Sequence, residues 1–142
     1  MDVIGAVGGY QFDVNRTAAC GRLDPDRLRL CEAVYDATQR CVDASQAGVT
    51  VAALVAIAGE SFAGHGFGQQ FSGSVGHAIG LETVELPYLR RGVDASLAPG
   101  DVLCIEPGVF IPDLGGCAIE QIVVVQEQGP PELLTHFPAR LW

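Results

Sequence analysis

Residues 24–66 carry two consecutive helix signals while the segments on either side carry strand signals, an order that few short chains can satisfy in one fold. Asp24 is a good N-cap, and Pro25 stands at the first helical position, where its missing N–H costs nothing. Leu28, Cys31, Val34, Tyr35, Thr38, Cys41 and Val42 then recur at three- and four-residue spacing, which predicts one apolar helix face that ends at Gly48. Thr50 caps a second helix with Leu54, Val55, Ala58 and Phe62 inward, fraying at Gly64-His65-Gly66. The two helices are expected to run antiparallel.

Residues 2–19 hold a short apolar run, a glycine pair at Gly8-Gly9 and the stretch Tyr10–Val14, which predicts two strands around a turn. After residue 68 the pattern turns to β-branched and apolar runs punctuated by glycine and proline: Ser74–Leu81, Asp101–Ile111 and Cys117–Gln126, the last closed by Gln128-Gly129-Pro130-Pro131. Strands, two helices, then strands predict an α+β arrangement with the helices on one face of an antiparallel sheet. No internal repeat, linker or low-complexity tract interrupts the 142 residues, so residues 1–142 read as a single domain.

Charge and cysteine content narrow the function. Aspartate and glutamate total 17 against eight arginines, lysine is absent, and the net charge is −9. There is no basic stripe to meet phosphates, which excludes a nucleic-acid module. No apolar run reaches the roughly 20 residues that span a bilayer, and Met1-Asp2-Val3-Ile4 lacks the basic start of a signal peptide. Five cysteines (Cys20, Cys31, Cys41, Cys104 and Cys117), an odd count without a C-x-x-C pair, suit a reducing, cytoplasmic setting. They read as small buried apolar residues, with Cys104 and Cys117 close to residues of interest below. The acidic surplus has two readings, solubility or cation ligation.

Three carboxylates sit inside apolar strand patterns: Asp13 after Tyr10 and Phe12, Glu106 between Cys104-Ile105 and Pro107-Gly108-Val109-Phe110, and Glu120 within Cys117–Val125. An ionised carboxylate buried without a partner costs several kcal/mol, so such residues pair with a cation of some kind. No arginine lies near Glu106 or Glu120 in sequence. His77, in Gly76-His77-Ala78-Ile79-Gly80-Leu81, is flanked by glycines that permit close approach of backbone or ligand. Oxygen donors with one imidazole suit manganese, cobalt, iron or zinc. Four carboxylates and one histidine exceed one tetrahedral zinc and suffice for two bridged ions.

The spacing of these residues resembles the M24-type metallopeptidase family of pita-bread fold, which includes Xaa-Pro aminopeptidases, prolidases (Xaa-Pro dipeptidases), methionine aminopeptidases and creatinase. Asp2 and Asp13 stand eleven positions apart, with Gly9-Tyr10 between them and Arg16-Thr17 after. The G-H-x-I-G-L-E segment reads Gly76-His77-Ala78-Ile79-Gly80-Leu81-Glu82, the Glu-Pro-Gly segment Glu106-Pro107-Gly108, and the final I-E segment Ile119-Glu120. The resemblance implies a pita-bread domain without its N-terminal half, a curved antiparallel sheet carrying two helices. It implies that Asp2 holds one divalent metal, that Asp13 and Glu120 bridge two, and that His77 and Glu106 complete the second. It also implies a metal-bridging hydroxide attacking a peptide or amide bond, with Glu106 moving its proton to the leaving amine.

Two departures bear on substrate. Val84 stands where the peptidases carry a second histidine that contacts substrate, and Ala118 stands where many carry an arginine. A valine cannot donate to a developing oxyanion, and losing one such donor typically costs on the order of 100-fold or more in rate. The expectation is therefore a dinuclear hydrolase of short peptides. The alternatives are a catalytically impaired binding module or a creatinase-like hydrolase of a small non-peptide C–N substrate. Only Met1 precedes Asp2, so the chain is expected to form a homo-oligomer or to depend on a missing N-terminal half.

Overall fold

In the computed structural model, which describes residues 1–142, Gly8 and Gly9 both adopt positive φ (61° and 91°). Two successive left-handed residues make the tight turn whose twist matches paired strands. They join β1 (Asp2–Val7) to β2 (Tyr10–Asn15) in an antiparallel hairpin.

Helix α1 (Pro25–Ala44) starts as the sequence predicts, with the Asp24 carboxylate accepting from the backbone N–H of Asp26 and Arg27 at 3.1 and 2.9 Å. It ends earlier than Gly48. The Ser45 N–H bonds to the Val42 carbonyl and the Ser45 hydroxyl to the Cys41 carbonyl, which closes the last turn. Gly48 lies in the loop beyond, at φ 83°. Helix α2 (Val51–Gly64) is capped by Thr50, whose hydroxyl accepts from the Ala53 N–H. Asp36 meets Ser61 and His65 while Cys41 meets Leu54, so the helices run antiparallel. The inward face holds Leu30, Cys31, Val34, Cys41 and Val42; Leu28, predicted inward, is 42% exposed on the first turn.

The remaining strands are β3 (Ser74–Ala78), β4 (Glu85–Arg90), β5 (Val102–Ile105), β6 (Gly108–Ile111), β7 (Gly115–Ala118), β8 (Gln121–Val124) and β9 (Glu132–Leu133). Five form an antiparallel sheet in the order β4-β3-β5-β8-β9, and β6 pairs with β7 as a separate ribbon. The predicted strand Asp101–Ile111 is thus two strands, broken at Glu106-Pro107, where proline cannot donate to the ladder. Cys117–Gln126 is likewise broken at Ile119-Glu120. Strand β4, which contains Pro87, was not among the predicted strands. It lies at the sheet edge, where a missing donor faces no partner strand.

Side chains alternate across the sheet. Val75, Leu103, Ile105 and Val123 join the helix residues Leu30, Val34, Leu54 and Phe62 in one continuous core. Ile79, Cys104 and Ile122 face the other way, against Phe12 and Val14 of the hairpin. The helices cover one face and the hairpin the other.

Gly76 controls how closely β3 approaches β5. Its φ is +143°, and a Cβ there would lie 1.9 Å from the Cys104 carbonyl oxygen. Gly76→Ala therefore forces backbone apart beside His77, combining backbone strain with overpacking, and is expected to destabilise the chain by about 3 kcal/mol or more. Urea denaturation monitored by circular dichroism measures this; a loss below about 1 kcal/mol contradicts the close approach.

Candidate metal centre

The hairpin register explains why two aspartates eleven residues apart can act together. Asp2 pairs with Asn15 and Ile4 with Asp13, so both carboxylates project from one face as diagonal neighbours. Asp13 is buried and Asp2 exposed.

His77 and Cys104 are direct partners across β3 and β5, and Cys104 is in turn opposite Ile122 on β8. Glu106 follows β5 at the strand break, its N–H held by the Val75 carbonyl at 2.7 Å. The His77 Nδ1 lies 2.9 Å from the Ala78 carbonyl, which can only accept, so Nδ1 carries the proton. The other ring nitrogen, Nε2, faces Glu106 Oε1 at 3.3 Å. In a neutral ring that places a lone pair against a carboxylate, so a proton or a metal cation belongs between them.

Glu120 occupies the second break, and the chain clamps it from both sides. Its N–H donates to the Asn15 carbonyl at 3.1 Å, and its own carbonyl accepts from the Arg16 guanidinium. Arg16 also donates to the Asn15 and Pro138 carbonyls and to Gln121 Oε1. Thr17 exchanges two hydrogen bonds with the backbone of Ala118, donating to its carbonyl and accepting from its N–H. Arg16 and Thr17 therefore staple the hairpin to the junction of β7 and β8. Their adjacency to Asp13 was visible in sequence; that Arg16 spends its donors on backbone carbonyls and Gln121, making no ion pair with the Glu120 carboxylate, was not.

Two groupings of candidate ligand atoms result. The ligand atoms of Asp2, Asp13 and Glu120 lie within 4.8 Å of one another, as do those of His77, Cys104 and Glu120; Glu120 is common to both. Glu106 joins through its contact with His77. Asp13 Oδ1 and Glu120 Oε1 are buried and have no hydrogen-bond partner. Burial, with Asp2 and Glu106 adding repulsion, raises the Asp13 pKa. Burial pushes Glu120 up to about 8, with the negative charges of Glu106, Asp13 and Asp2 adding to it. Hydrogen bonding to Glu106 raises His77, and burial raises the Cys104 thiol. Orphaned buried oxygens amid mutually repelling carboxylates fit divalent cations, and oxygen donors with an imidazole suit manganese, cobalt, iron or zinc.

Four further residues have other surroundings. Val84 is 45% exposed in the turn between β3 and β4. Glu85 spends its carboxylate on the Glu82 N–H at 2.9 Å, a turn contact. Cys117 faces the helix side, in the core with Cys31. His65 sits near Asp36 on the helices, 3.7 Å from its carboxylate.

The sequence profile of Metallopeptidase family M24 matches residues 1–127. The chain is 37% identical over 124 residues to the Xaa-Pro dipeptidase of Pyrococcus furiosus, covering 87% of this chain and 36% of that protein. Among solved structures, the prolidase from Pyrococcus horikoshii OT3 superposes with a TM-score of 0.93 at 31% identity over 99% of this chain and 40% of that one. The X-Pro aminopeptidase from Thermotoga maritima gives 0.91 at 32% identity over 98% and 39%. The chain thus spans about two-fifths of the length of the relatives it matches.

The raised Glu120 value sets a pH dependence for the metal-free chain. A carboxyl whose folded pKa exceeds its ordinary 4.5 binds a proton more tightly when folded. Its stabilisation is complete below that value and is lost as pH rises towards about 8. Asp13 and His77, both raised, act in the same direction. In chelator-treated protein the urea midpoint is expected to fall from pH 5.5 to 8, Glu120→Gln to flatten the fall, and divalent cation to reverse it. A flat wild-type profile contradicts the buried, uncompensated carboxylate.

Proposed function

The chain belongs to metallopeptidase family M24 and has its pita-bread fold, and on that premise we propose that it is the cation-binding part of a Xaa-Pro dipeptidase-like hydrolase. The observation that carries this reading is the convergence of Asp2, Asp13, His77, Glu106 and Glu120, with Asp13 Oδ1 and Glu120 Oε1 left unpaired. In this reading Asp2, Asp13, His77, Glu106 and Glu120 would hold two divalent ions, Glu120 being common to both groups of side chains. Such ions, of manganese, cobalt, iron or zinc, would supply a more acidic water and polarise the scissile carbonyl.

The chain's own groups do the rest. The Glu106 side chain is 36% exposed beside His77, so it can meet both an incoming water and a leaving group. Its carboxylate takes the proton of the attacking water and returns it to the departing amine. The bond from His77 Nδ1 to the Ala78 carbonyl fixes the ring so that Nε2 faces the centre. Short peptides are the proposed substrates. Residues 1–142 contribute as one portion of the catalytic domain, which the continuous core from Leu30 to Val125 supports. Exposed Val3, Ile4 and Val7 on the hairpin support cover by a second copy or by a further half of the catalytic domain. Five free thiols support a reducing, cytoplasmic setting.

Exposed Val84, which offers no hydrogen-bond donor, favours a second reading in which the substrate is a small non-peptide amide or in which the site binds without turnover. Hydrolysis assays with manganese or cobalt separate these. Cleavage of Xaa-Pro dipeptides, with kcat lowered about 100-fold or more by Glu106→Gln, is the expected result. Turnover of small C–N substrates alone transfers the proposal to the second class. No turnover of either by cation-loaded protein contradicts the hydrolase.

A further inference from the structure

Cys104 is the one residue of the centre to which the reading above gives no role. It lies in the middle of β5, fully buried, directly across from His77 on the same face of the sheet. Its Sγ, a His77 ring nitrogen and a Glu120 carboxylate oxygen all lie within 4.8 Å of one another. The register fixes this placement, because Leu103 and Ile105 on either side point into the helix-side core. The other buried thiols do not share it: Cys41 donates to the Leu54 carbonyl between the helices, and Cys31 and Cys117 lie in the core.

A second observation marks this spot as a ligand position. Glu120 is 1% exposed and its Oε1 has no hydrogen-bond partner, and a carboxylate oxygen of this same side chain lies within 4.8 Å of the Cys104 sulfur and a His77 ring nitrogen. Carboxylates do not discriminate strongly among hard and borderline ions, whereas sulfur selects softer ones. We propose that Cys104 supplies a sulfur ligand to the cation on the His77 side, biasing this centre towards cobalt or zinc over manganese. The inference rests on the dinuclear reading above. On binding, the S–H bond breaks, its proton leaves to solvent and a sulfur–cation bond forms, with no change of oxidation state.

Cobalt(II) loading of the metal-free chain tests this, with bound cobalt quantified and near-ultraviolet absorption recorded on the same samples. Wild type is expected to show a thiolate-to-cobalt charge-transfer band. Cys104→Ser is expected to lose the band while still binding cobalt, and its zinc-over-manganese preference in competition to fall on the order of 10-fold or more. Serine is close to cysteine in size, so a thiol that only fills space would leave that preference unmoved. Cys117→Ser is expected to keep the band. Should Cys104→Ser not fold, Cys104→Ala and the wild-type spectrum decide. Cobalt bound in full by wild type without the band overturns the sulfur ligand and leaves the dinuclear reading standing. No cobalt bound by folded wild type overturns both.

Discussion

Asp13 and Glu120 are held side by side in the interior with no arginine or lysine to neutralise them, and the surrounding architecture holds them there. A buried ionised carboxylate costs several kcal/mol, and two that repel each other cost more. The only nearby guanidinium, Arg16, is committed to backbone carbonyls and to Gln121. It fixes where the Glu120 backbone lies without discharging the side chain. That Asp13 Oδ1 and Glu120 Oε1 are left unpaired is what the proposed cation site rests on.

The means of placement are strand breaks and a tight turn. Glu106 and Glu120 both fall where a strand gives way to the next, so the chain bends at the two glutamates and their backbone groups bond outside the main ladder. The Gly8-Gly9 turn sets the cross-strand register that puts Asp2 beside Asp13. Gly76 lets β3 approach β5, which aligns His77 with Cys104. The helices act at a distance, by anchoring the opposite face of the same sheet.

Much of this was legible in the residues. Asp24-Pro25 and Thr50 mark helix starts through local capping chemistry, and the hairpin is written in its glycines. The five candidate ligands came from the resemblance to family M24, and the hairpin and strand registers bring their side chains towards one another. Less legible were features decided by tertiary contact. Helix α1 stops at Ala44 because Ser45 closes it, ahead of the glycine, and β4 survives Pro87 because it is an edge strand. The roles of Arg16 and Cys104 depend on which atoms lie opposite once strands pair, which single-chain periodicity does not encode.

In the proposed centre one glutamate, Glu120, is common to two cation positions. The most direct measurement is anomalous diffraction from crystals of the chain grown with manganese or zinc, with data collected at the corresponding absorption edge. Two anomalous peaks per chain are expected, both in contact with Glu120, one adjoining Asp2 and the other adjoining His77. A single peak away from Glu120, or none in a folded chain exposed to saturating metal, would contradict the proposed centre.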